Sequence, residues 1–327
     1  MGLLFLSGER LIHPAADQFW ENVEKRFADI AGQSEILLKQ GVAGVFQVII
    51  KDSTDAAMDV AVRNPEILLS PSAIAFIDFR SVRRAGGAQP RVPVYSTEGG
   101  WLHLTPEELV AQTLQAKADG FLGAKVKVGR PTVAEDVARL AAVREAVGGQ
   151  FEIMVDANQC FNVAEAMRRA RAYEPFNLAW FEEPLPAEDI GGHVELAART
   201  ATPIAIGESL YHPAHFREYL ERDACSIVQV DCARIGGVTP WLKVAHLAEA
   251  FNVAVCPHFL MELHVSLTAA VPNAAWVEYI PQLDDVTTSR MTIEDGHAVA
   301  PAAPGLGIDW DFAAIDARAV ARCRVPN

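Results

Sequence analysis

Three carboxylates stand at a regular interval in the middle of the chain and have the residue type that binds hard metal ions. Asp156, Glu182 and Glu208 follow one another at steps of 26 residues, each at or near the end of an apolar, β-rich run. Three acids that converge without a cation repel one another, and at least one is forced to stay neutral. A divalent cation removes this conflict, and oxygen ligands with open positions for water favour Mg²⁺. The alternative is that each acid pairs with a nearby lysine or arginine.

Two lysines end an earlier β-rich run. Lys125 and Lys127 lie two positions apart in AKVKVG, so a strand would present both on one face, as it would Asp156 and Asn158. Beside a metal site, such lysines are candidates for a base and an electrostatic stabiliser, because cationic surroundings can lower a lysine pKa toward neutrality. The alternative is that they only neutralise carboxylates.

A histidine and two further acids occupy later strand ends. Asp231 ends the run before NVAVC, and His258 follows that run. Adjacent strands would bring the two side chains into contact, which orients an imidazole ring and stabilises its protonated form. A lone histidine is more often structural, but this partner and position favour a function. Glu278, in the run WVEYI, completes the series.

The elements that must position these residues alternate between β-rich runs and helical patterns from residue 92 onward. The eight predicted strands cover 92–97, 124–129, 151–158, 178–185, 202–209, 226–237, 252–259 and 276–280. One intervening helix opens with Thr105 as N-cap, Pro106 at the first position and Glu108 completing a capping box. Eight strands favour a closed βα barrel over an open doubly wound sheet, and no GxGxxG or Walker pattern is present. Such a barrel gathers the carboxyl ends of its strands at one mouth.

The first 91 residues have a different pattern and predict a separate α+β portion. A helical pattern covers 17–41, and a turn-rich stretch over 83–93 leads into the first barrel strand. We expect residues 92–280 to form the catalytic barrel. We expect residues 281–327 to pack back onto residues 1–91.

Composition narrows the class of partner. The formal charge of -14 comes from 42 acidic against 28 basic residues, which disfavours nucleic acid and anionic membrane surfaces. Five scattered cysteines without a CxxC pair indicate a reducing compartment. The chain lacks the layout of a secretory signal and an apolar stretch long enough to span a bilayer. We therefore predict a cytoplasmic protein, in which local cations or a metal rather than the overall charge would have to attract any acidic substrate.

Six motifs resemble, in order and spacing, the barrel motifs of the mandelate racemase-like branch of the enolase superfamily. They are KVK (125–127), VDAN (155–158), FEEP (181–184), IGES (206–209), VDCARIGG (230–237) and PH (257–258). The resemblance runs from about 92 to 280. It implies an α/β protein with a modified TIM barrel, (β/α)7β-like, and a smaller N-terminal α+β capping domain. Against that pattern residues 1–91 are short, which puts substrate closure and selectivity in question.

The resemblance also implies roles for the strand-end residues. Asp156, Glu182 and Glu208 would bind Mg²⁺. Lys127 would be a base on one face of the substrate, and Lys125 a cation beside the substrate carboxylate.

On the opposite face, the resemblance implies that His258, held by Asp231, acts as acid or base. Glu278 would hydrogen-bond the developing enediolate, and Asn158 would help to hold the carboxylate. The muconate-lactonizing branch carries lysine where this chain has Asp231, which makes cycloisomerisation a weaker prediction.

The segments 177–193 and 256–270 resemble most closely the acid-sugar dehydratases of the galactarate and talarate type. The first prediction is therefore dehydration of an acid sugar to a 2-keto-3-deoxy acid, and the second is racemisation or epimerisation of a 2-hydroxy acid. A non-catalytic metal- or acid-binding protein is the alternative from another class. The family also implies a homo-oligomer.

Overall fold

The computed structural model describes residues 2–7, 36–40, 45–50, 73–75, 89, 91–302 and 307–318. The first four of these segments are strands β1 (Gly2–Ser7), β2 (Ile36–Gln40), β3 (Val45–Ile50) and β4 (Ala73–Ala75). They pair antiparallel in the order β2-β3-β1-β4. The predicted helix over 17–41 is therefore wrong for β2, because a short apolar run fits either element and pairing with β3 decides. Residues 17–35 lie outside the described residues.

Eight parallel strands form the barrel. They are β5 (Arg91–Ser96), β6 (Gly123–Lys127), β7 (Glu152–Asp156), β8 (Trp180–Glu182), β9 (Ile204–Ile206), β10 (Ile227–Val228), β11 (Ala254–Val255) and β12 (Val277–Tyr279). Each strand pairs with the next from β5 to β11. A bridge between Val255 and Ala274, together with the pairing of β12 with β5, closes the ring. The predicted closed barrel is confirmed, and every strand after β5 is shorter than its sequence run.

Seven helices separate the barrel strands and give the (β/α)7β order. They are α1 (Pro106–Ala118), α2 (Val133–Val147), α3 (Val163–Tyr173), α4 (Ile190–Ala197), α5 (Pro213–Glu221), α6 (Val238–Ala250) and α7 (Met261–Ala270). Helix α1 begins with the predicted capping box, in which the Glu108 N–H donates to Thr105 Oγ1 at 3.2 Å and the Thr105 N–H donates to Glu108 Oε2 at 2.9 Å. These bonds satisfy backbone donors that a helix start leaves unpaired.

An apolar layer fills the barrel interior below the mouth. Its members are Tyr95, Met154, Trp180, Ala205, Ile227 and Cys256. Tyr95 and Trp180 meet edge-on, with ring centroids 5.1 Å apart. Because alternate side chains of a strand share a face, Met154 and Trp180 in this layer place Asp156 and Glu182 one step nearer the mouth on the same interior face. This buried apolar layer excludes water from the barrel interior beneath Asp156 and Glu182.

The C-terminal segment adds a hairpin to the barrel wall. Strands β13 (Thr292–Glu294) and β14 (His297–Val299) pair antiparallel, and β14 pairs with the first half of β5. A short helix, α8 (Phe312–Arg318), follows. The predicted packing of residues 281–327 onto residues 1–91 stays a prediction. Among the described residues, no helix combines the length and apolar character needed to cross a membrane.

Candidate active site

The three predicted acids meet at the mouth of the barrel. Asp156 and Glu182 are the last residues of β7 and β8, and Glu208 follows β9 by two residues. One carboxylate oxygen from each lies within 4.8 Å of the others. Asp156 and Glu182 are fully buried, whereas the Glu208 side chain is 12% exposed. We refer to these three residues as the acidic triad.

The chemistry of the acidic triad fits a divalent cation. Burial raises the pKa of Asp156, and the charge of Glu182 raises this pKa further, so the protein by itself disfavours the ionised form of Asp156. A dication among the carboxylates would reverse both effects. The indole N–H of Trp180 and the amide of Gln229 donate to Glu182 Oε2 at 3.1 and 2.7 Å, which fixes the plane of this carboxylate. An all-oxygen set of this kind can hold Mg²⁺.

Lys125 is an enclosed cation. Its Nζ lies 2.8 Å from Glu182 Oε1, 2.7 Å from Glu278 Oε1 and 3.7 Å from Asp156 Oδ2, and its side chain is 1% exposed. Burial lowers the pKa of Lys125, but Glu182 and Glu278 outweigh burial and raise the pKa well above the ordinary value. The carboxylate neighbours thus favour the protonated form of Lys125, the lysine for which the family resemblance implies the role of a cation. Lys125 suits the role of a permanent positive charge.

Lys127 is the more accessible of the two lysines. Its Nζ contacts Asp156 Oδ2 and donates to Asn158 Oδ1 at 2.8 Å, and 14% of the side chain is exposed. The same nitrogen lies 5.8 Å from the centroid of the Trp101 ring, within cation–π range. The structure thus brings Lys127, Asp156 and Asn158 together, but Asn158 lies in the turn after β7, with φ of 43°, and not on the strand face that the alternation predicted.

His258 and Asp231 form a hydrogen-bonded pair. His258 Nδ1 lies 2.8 Å from Asp231 Oδ2, and His258 Nε2 lies 3.4 Å from Glu208 Oε2. The backbone N–H groups of Ala233 and Arg234 donate to the other oxygen of Asp231 at 2.8 and 3.2 Å. The carboxylate therefore holds the Nδ1 side of the ring, and Nε2 faces the acidic triad.

Electrostatic contacts favour the charged forms of His258 and Asp231. Burial lowers the pKa of His258, but the hydrogen bond to Asp231 and the charges of Glu278 and Glu208 raise the pKa above its ordinary value. Burial raises the pKa of Asp231, but the hydrogen bond from His258 leads a set of opposing contacts that lower it. Opposite shifts of this kind are typical of an imidazolium that can donate a proton.

Glu278 is a buried carboxylate that forms an ion pair with Lys125. It accepts hydrogen bonds from Thr97 Oγ1 at 2.5 Å and from the Phe259 N–H at 2.7 Å, besides its ion pair with Lys125. Burial opposes ionisation, but the charges of Lys125 and His258 lower the pKa of Glu278. Glu278 is thus an ionised acceptor here, and it must gain a proton before it can donate a hydrogen bond to an oxyanion.

The sequence interpretation missed a set of contacts behind the acidic triad. Gln159 Nε2 donates to Glu183 Oε2 at 3.0 Å and to Ser209 Oγ at 2.6 Å. These residues lie in the loops that follow β7, β8 and β9, so they tie the three ligand-bearing loops together. Burial, followed by the charge of Glu208, raises the pKa of Glu183 to about 7. The only available signal was their position inside or next to the VDAN, FEEP and IGES motifs.

Two further motif residues, Arg234 and Gly207, help to position Glu208, although the sequence motifs did not reveal this role. Arg234 Nη1 donates to the Glu208 backbone oxygen at 2.9 Å and lies 3.3 Å from Glu208 Oε1. Gly207, with φ at 147°, leaves no space for a side chain, because a Cβ there would lie 2.7 to 2.8 Å from backbone atoms of Gln229. The glycine of IGES thus lets β9 approach β10 just before Glu208.

Known proteins are similar to this chain in sequence. Residues 108–314 match the family described as enolase C-terminal domain-like. The chain is 39% identical over 246 residues to the L-talarate/galactarate dehydratase of Salmonella typhimurium, which covers 73% of this chain and 62% of that protein. It is 37% identical over 253 residues to a 3,6-anhydro-alpha-L-galactonate cycloisomerase of Streptomyces coelicolor, covering 75% of this chain and 70% of that protein.

A solved structure extends the likeness to three dimensions. The crystal structure of L-talarate dehydratase from Polaromonas sp. JS666, complexed with Mg and L-glucarate, superposes with a TM-score of 0.69 at 35% identity. The match covers 93% of this chain and 79% of that one. The match to the Salmonella relative spans somewhat less than two thirds of that protein's length. On its family match, its barrel and the arrangement of its strand-end residues, this chain belongs to the enolase C-terminal domain-like family of the enolase superfamily.

Proposed function

We propose that this chain is a Mg²⁺-dependent lyase that abstracts the α-proton of an acid-sugar carboxylate and dehydrates the sugar to a 2-keto-3-deoxy acid. The observation that carries the proposal is the placement of Lys127 and His258 at opposite ends of the acidic triad, against Asp156 and Glu208 respectively. Relatives named as talarate/galactarate, arabinonate and gluconate dehydratases support this reaction class. The same likeness supports Mg²⁺ as the cation.

Asp156, Glu182 and Glu208 would hold the ion. Bound there, Mg²⁺ supplies positive charge where the substrate carboxylate becomes an enediolate dianion. Lys125, fixed between Glu182 and Glu278, adds a second positive charge beside that carboxylate. Asn158, which already bonds Lys127, would help to hold the carboxylate in register.

The proton transfers are divided between two residues. Neutral Lys127 takes the α-proton, and the electrons of the broken C–H bond form the enediolate. The C–O bond at the β-carbon then breaks, and His258 gives its proton to the departing hydroxyl, which leaves as water. The resulting enol tautomerises to the 2-keto-3-deoxy acid. Asp231 keeps the imidazolium oriented for this donation. Glu278 would hydrogen-bond the enediolate after taking a proton from solvent, because its carboxylate by itself can only accept.

The experiment is a screen of an acid-sugar library with Mg²⁺, scored for keto-acid formation and for exchange of the α-proton in deuterated water. A keto acid supports dehydration. Exchange with a C2 epimer and no keto acid would assign the epimerase alternative. An isomer of unchanged mass in which a ring has opened or closed would assign cycloisomerisation, which the Streptomyces relative's name makes worth scoring. Mg²⁺ binding without any exchange would identify a non-catalytic binder. Lys127→Ala is the control for contaminating activity.

The wider organisation is part of the same proposal. Residues 1–91 would act as a short cap over the mouth, residues 92–280 as the catalytic barrel, and residues 281–327 as a segment that packs onto the cap. We also propose a homo-oligomer. Light scattering measures the assembly. Exchange of residues 1–91 for the corresponding segment of a relative tests the cap, because substrate preference should follow the exchanged segment while the barrel chemistry stays.

A further inference from the structure

We propose that His264 is a positioning residue that holds Asp231 and His258 in mutual register. The catalytic importance of this positioning rests on the proposed function. The hydrogen bonds that show the positioning do not depend on it. His264 lies in α7 and is completely buried. Its Nδ1 lies 2.6 Å from the Phe259 carbonyl oxygen, and the Cys232 N–H donates to its Nε2 at 3.0 Å.

The two backbone partners of His264 explain why it acts on this pair. Cys232 directly follows Asp231, and Phe259 directly follows His258. One imidazole ring therefore bridges the loops after β10 and β11, one residue beyond each member of the pair. The side-chain bond between Asp231 and His258 at 2.8 Å spans the same two loops. The two loops are thus joined twice, and His264 supplies the bond that takes no part in proton transfer.

The chemistry of the bridge requires one form of the ring. A carbonyl oxygen needs a donor at Nδ1, and a backbone N–H needs an acceptor at Nε2, so only the neutral ring with its hydrogen on Nδ1 makes both bonds. Burial lowers the pKa of His264 to about 4, against an opposing contribution from Asp231. The bridge therefore stays intact across the range in which His258 exchanges protons.

A second aromatic side chain fixes the orientation of the His264 ring. Trp241 stacks on it, with centroids 6.2 Å apart and planes inclined by 29°. The Trp241 indole N–H donates to the Val230 carbonyl oxygen at 3.0 Å. Val230 precedes Asp231, and Cys232 follows it. The stacked rings of Trp241 and His264 therefore hydrogen-bond to the backbone on both sides of Asp231.

The loop that carries His258 needs such support. Phe259 and Leu260 have φ values of 59° and 33°, in the left-handed region that non-glycine residues adopt at a cost. Without the bond to the Phe259 carbonyl, the loop can relax toward ordinary torsions. Relaxation would swing His258 away from Asp231 and from the mouth.

The test uses two substitutions at His264 and a matched buried histidine. His264→Phe keeps the ring and removes both hydrogen bonds, whereas His264→Gln keeps one donor and one acceptor. His193→Phe is the control, because His193 is also fully buried but lies in α4, bonded to the Asp189 carbonyl. For each Mg²⁺-loaded protein the measurements are keto-acid formation, α-proton exchange, Mg²⁺ affinity, and the NMR signal of the His258 Nδ1 proton.

We expect His264→Phe to lower keto-acid formation roughly 10- to 100-fold, the usual cost of losing a residue that orients an active-site ligand. Mg²⁺ affinity and exchange through Lys127 should stay, and the His258 Nδ1 proton signal should broaden through faster exchange with solvent. His264→Gln should recover part of both losses, and His193→Phe should show neither. If His264→Phe does not fold, His264→Gln carries the comparison.

Two results would overturn the inference. One is wild-type product formation with an unchanged His258 signal in His264→Phe. The other is an equal loss in His264→Phe and His193→Phe, which would mark a general packing effect. If the wild-type protein forms no keto acid, the proposed function fails, and the His258 signal still decides whether His264 positions the pair.

Discussion

The Nε2 atom of His258 lies 3.4 Å from Oε2 of Glu208. The histidine therefore reaches the last member of the acidic triad, while Lys127 contacts the first member, Asp156. A substrate carboxylate held at the triad would lie between two proton-transfer groups that come from strands on different parts of the barrel wall. This separation is the geometric basis for division of labour between a base and an acid.

Glu208→Gln should weaken Mg²⁺ binding and activity while the fold remains, because one charged ligand becomes neutral at almost constant volume. We expect a loss of affinity of at least about 10-fold, measured by calorimetric titration with Mg²⁺. EDTA should abolish turnover and Mg²⁺ restore it. Glu195→Gln, on the exposed side of α4, is the matched control. Full activity after rigorous chelation would remove the metal from the mechanism.

Lys127→Ala and His258→Asn should separate the two proton transfers. Lys127→Ala should stop both α-proton exchange and product formation. His258→Asn should block loss of the β-hydroxyl but leave some exchange, because the base and the metal ligands remain. Deuterium incorporation by NMR, measured beside keto-acid formation, distinguishes the two. The phenotypes swap if substrate stereochemistry makes His258 the base, and wild-type behaviour of both variants would contradict the assignment.

Asp231→Asn should reduce product formation less than His258→Asn does. The amide keeps the size of the carboxylate but loses the carboxylate hydrogen bond that raises the pKa of His258. A loss of roughly 10- to 100-fold in product formation is expected, without loss of α-proton exchange. A defect larger than that of His258→Asn would show that Asp231 does more than orient the ring.

Lys125→Met should destabilise the Mg²⁺-free protein by about 3–5 kcal/mol, because it leaves buried carboxylates without their cation. Urea unfolding measures this loss. Added Mg²⁺ should restore part of the stability, since it compensates the same charges. Lys117→Met on α1 removes a single bond to the Val147 carbonyl and should cost about 1 kcal/mol with no dependence on Mg²⁺. Equal responses of the two variants to Mg²⁺ would argue against a shared charge cluster.

Glu278→Gln and Glu278→Leu test whether this residue acts as a hydrogen-bond donor. The glutamine amide can donate without first gaining a proton, so product formation should stay within about 10-fold of wild type. Leucine removes the donor and should cost roughly 100- to 1,000-fold, the usual effect of losing one oxyanion donor. Comparable losses in both variants would instead identify the charge of Glu278 beside Lys125 as the essential property.

The free energy of unfolding should depend on pH in the way expected for a histidine, His264, that is neutral in the folded protein. Its pKa in the folded protein lies at about 4, below the ordinary value of 6.5, so between these pH values the unfolded chain binds the extra proton. Stability is therefore full above about pH 6.5 and falls as the pH drops, by about 3 kcal/mol at pH 4. Urea unfolding of His264→Gln should lack this part of the fall. Parallel curves for wild type and variant would contradict the buried neutral ring.

The sequence determined where the strands lie and which side chains stand at their ends. Apolar runs of the right length that end in acids or lysines identify Asp156, Glu182 and Lys127, because a strand has a fixed alternation and a barrel a common mouth. The same local rules predicted the Thr105 cap. They did not separate helix from strand at 36–40, where pairing between strands decided.

Only the tertiary structure decided which residues support the site. Gln159 reaches Ser209 across 50 positions of sequence, and His264 joins the loops after Asp231 and His258 from a helix. Contacts of this kind depend on the relative placement of whole elements, which no residue spacing encodes. The charge of a side chain depends on the same placement: Glu182 and Glu278 surround Lys125 in the folded barrel and favour its protonated form, and the spacing of KVK does not show how many acids each lysine meets.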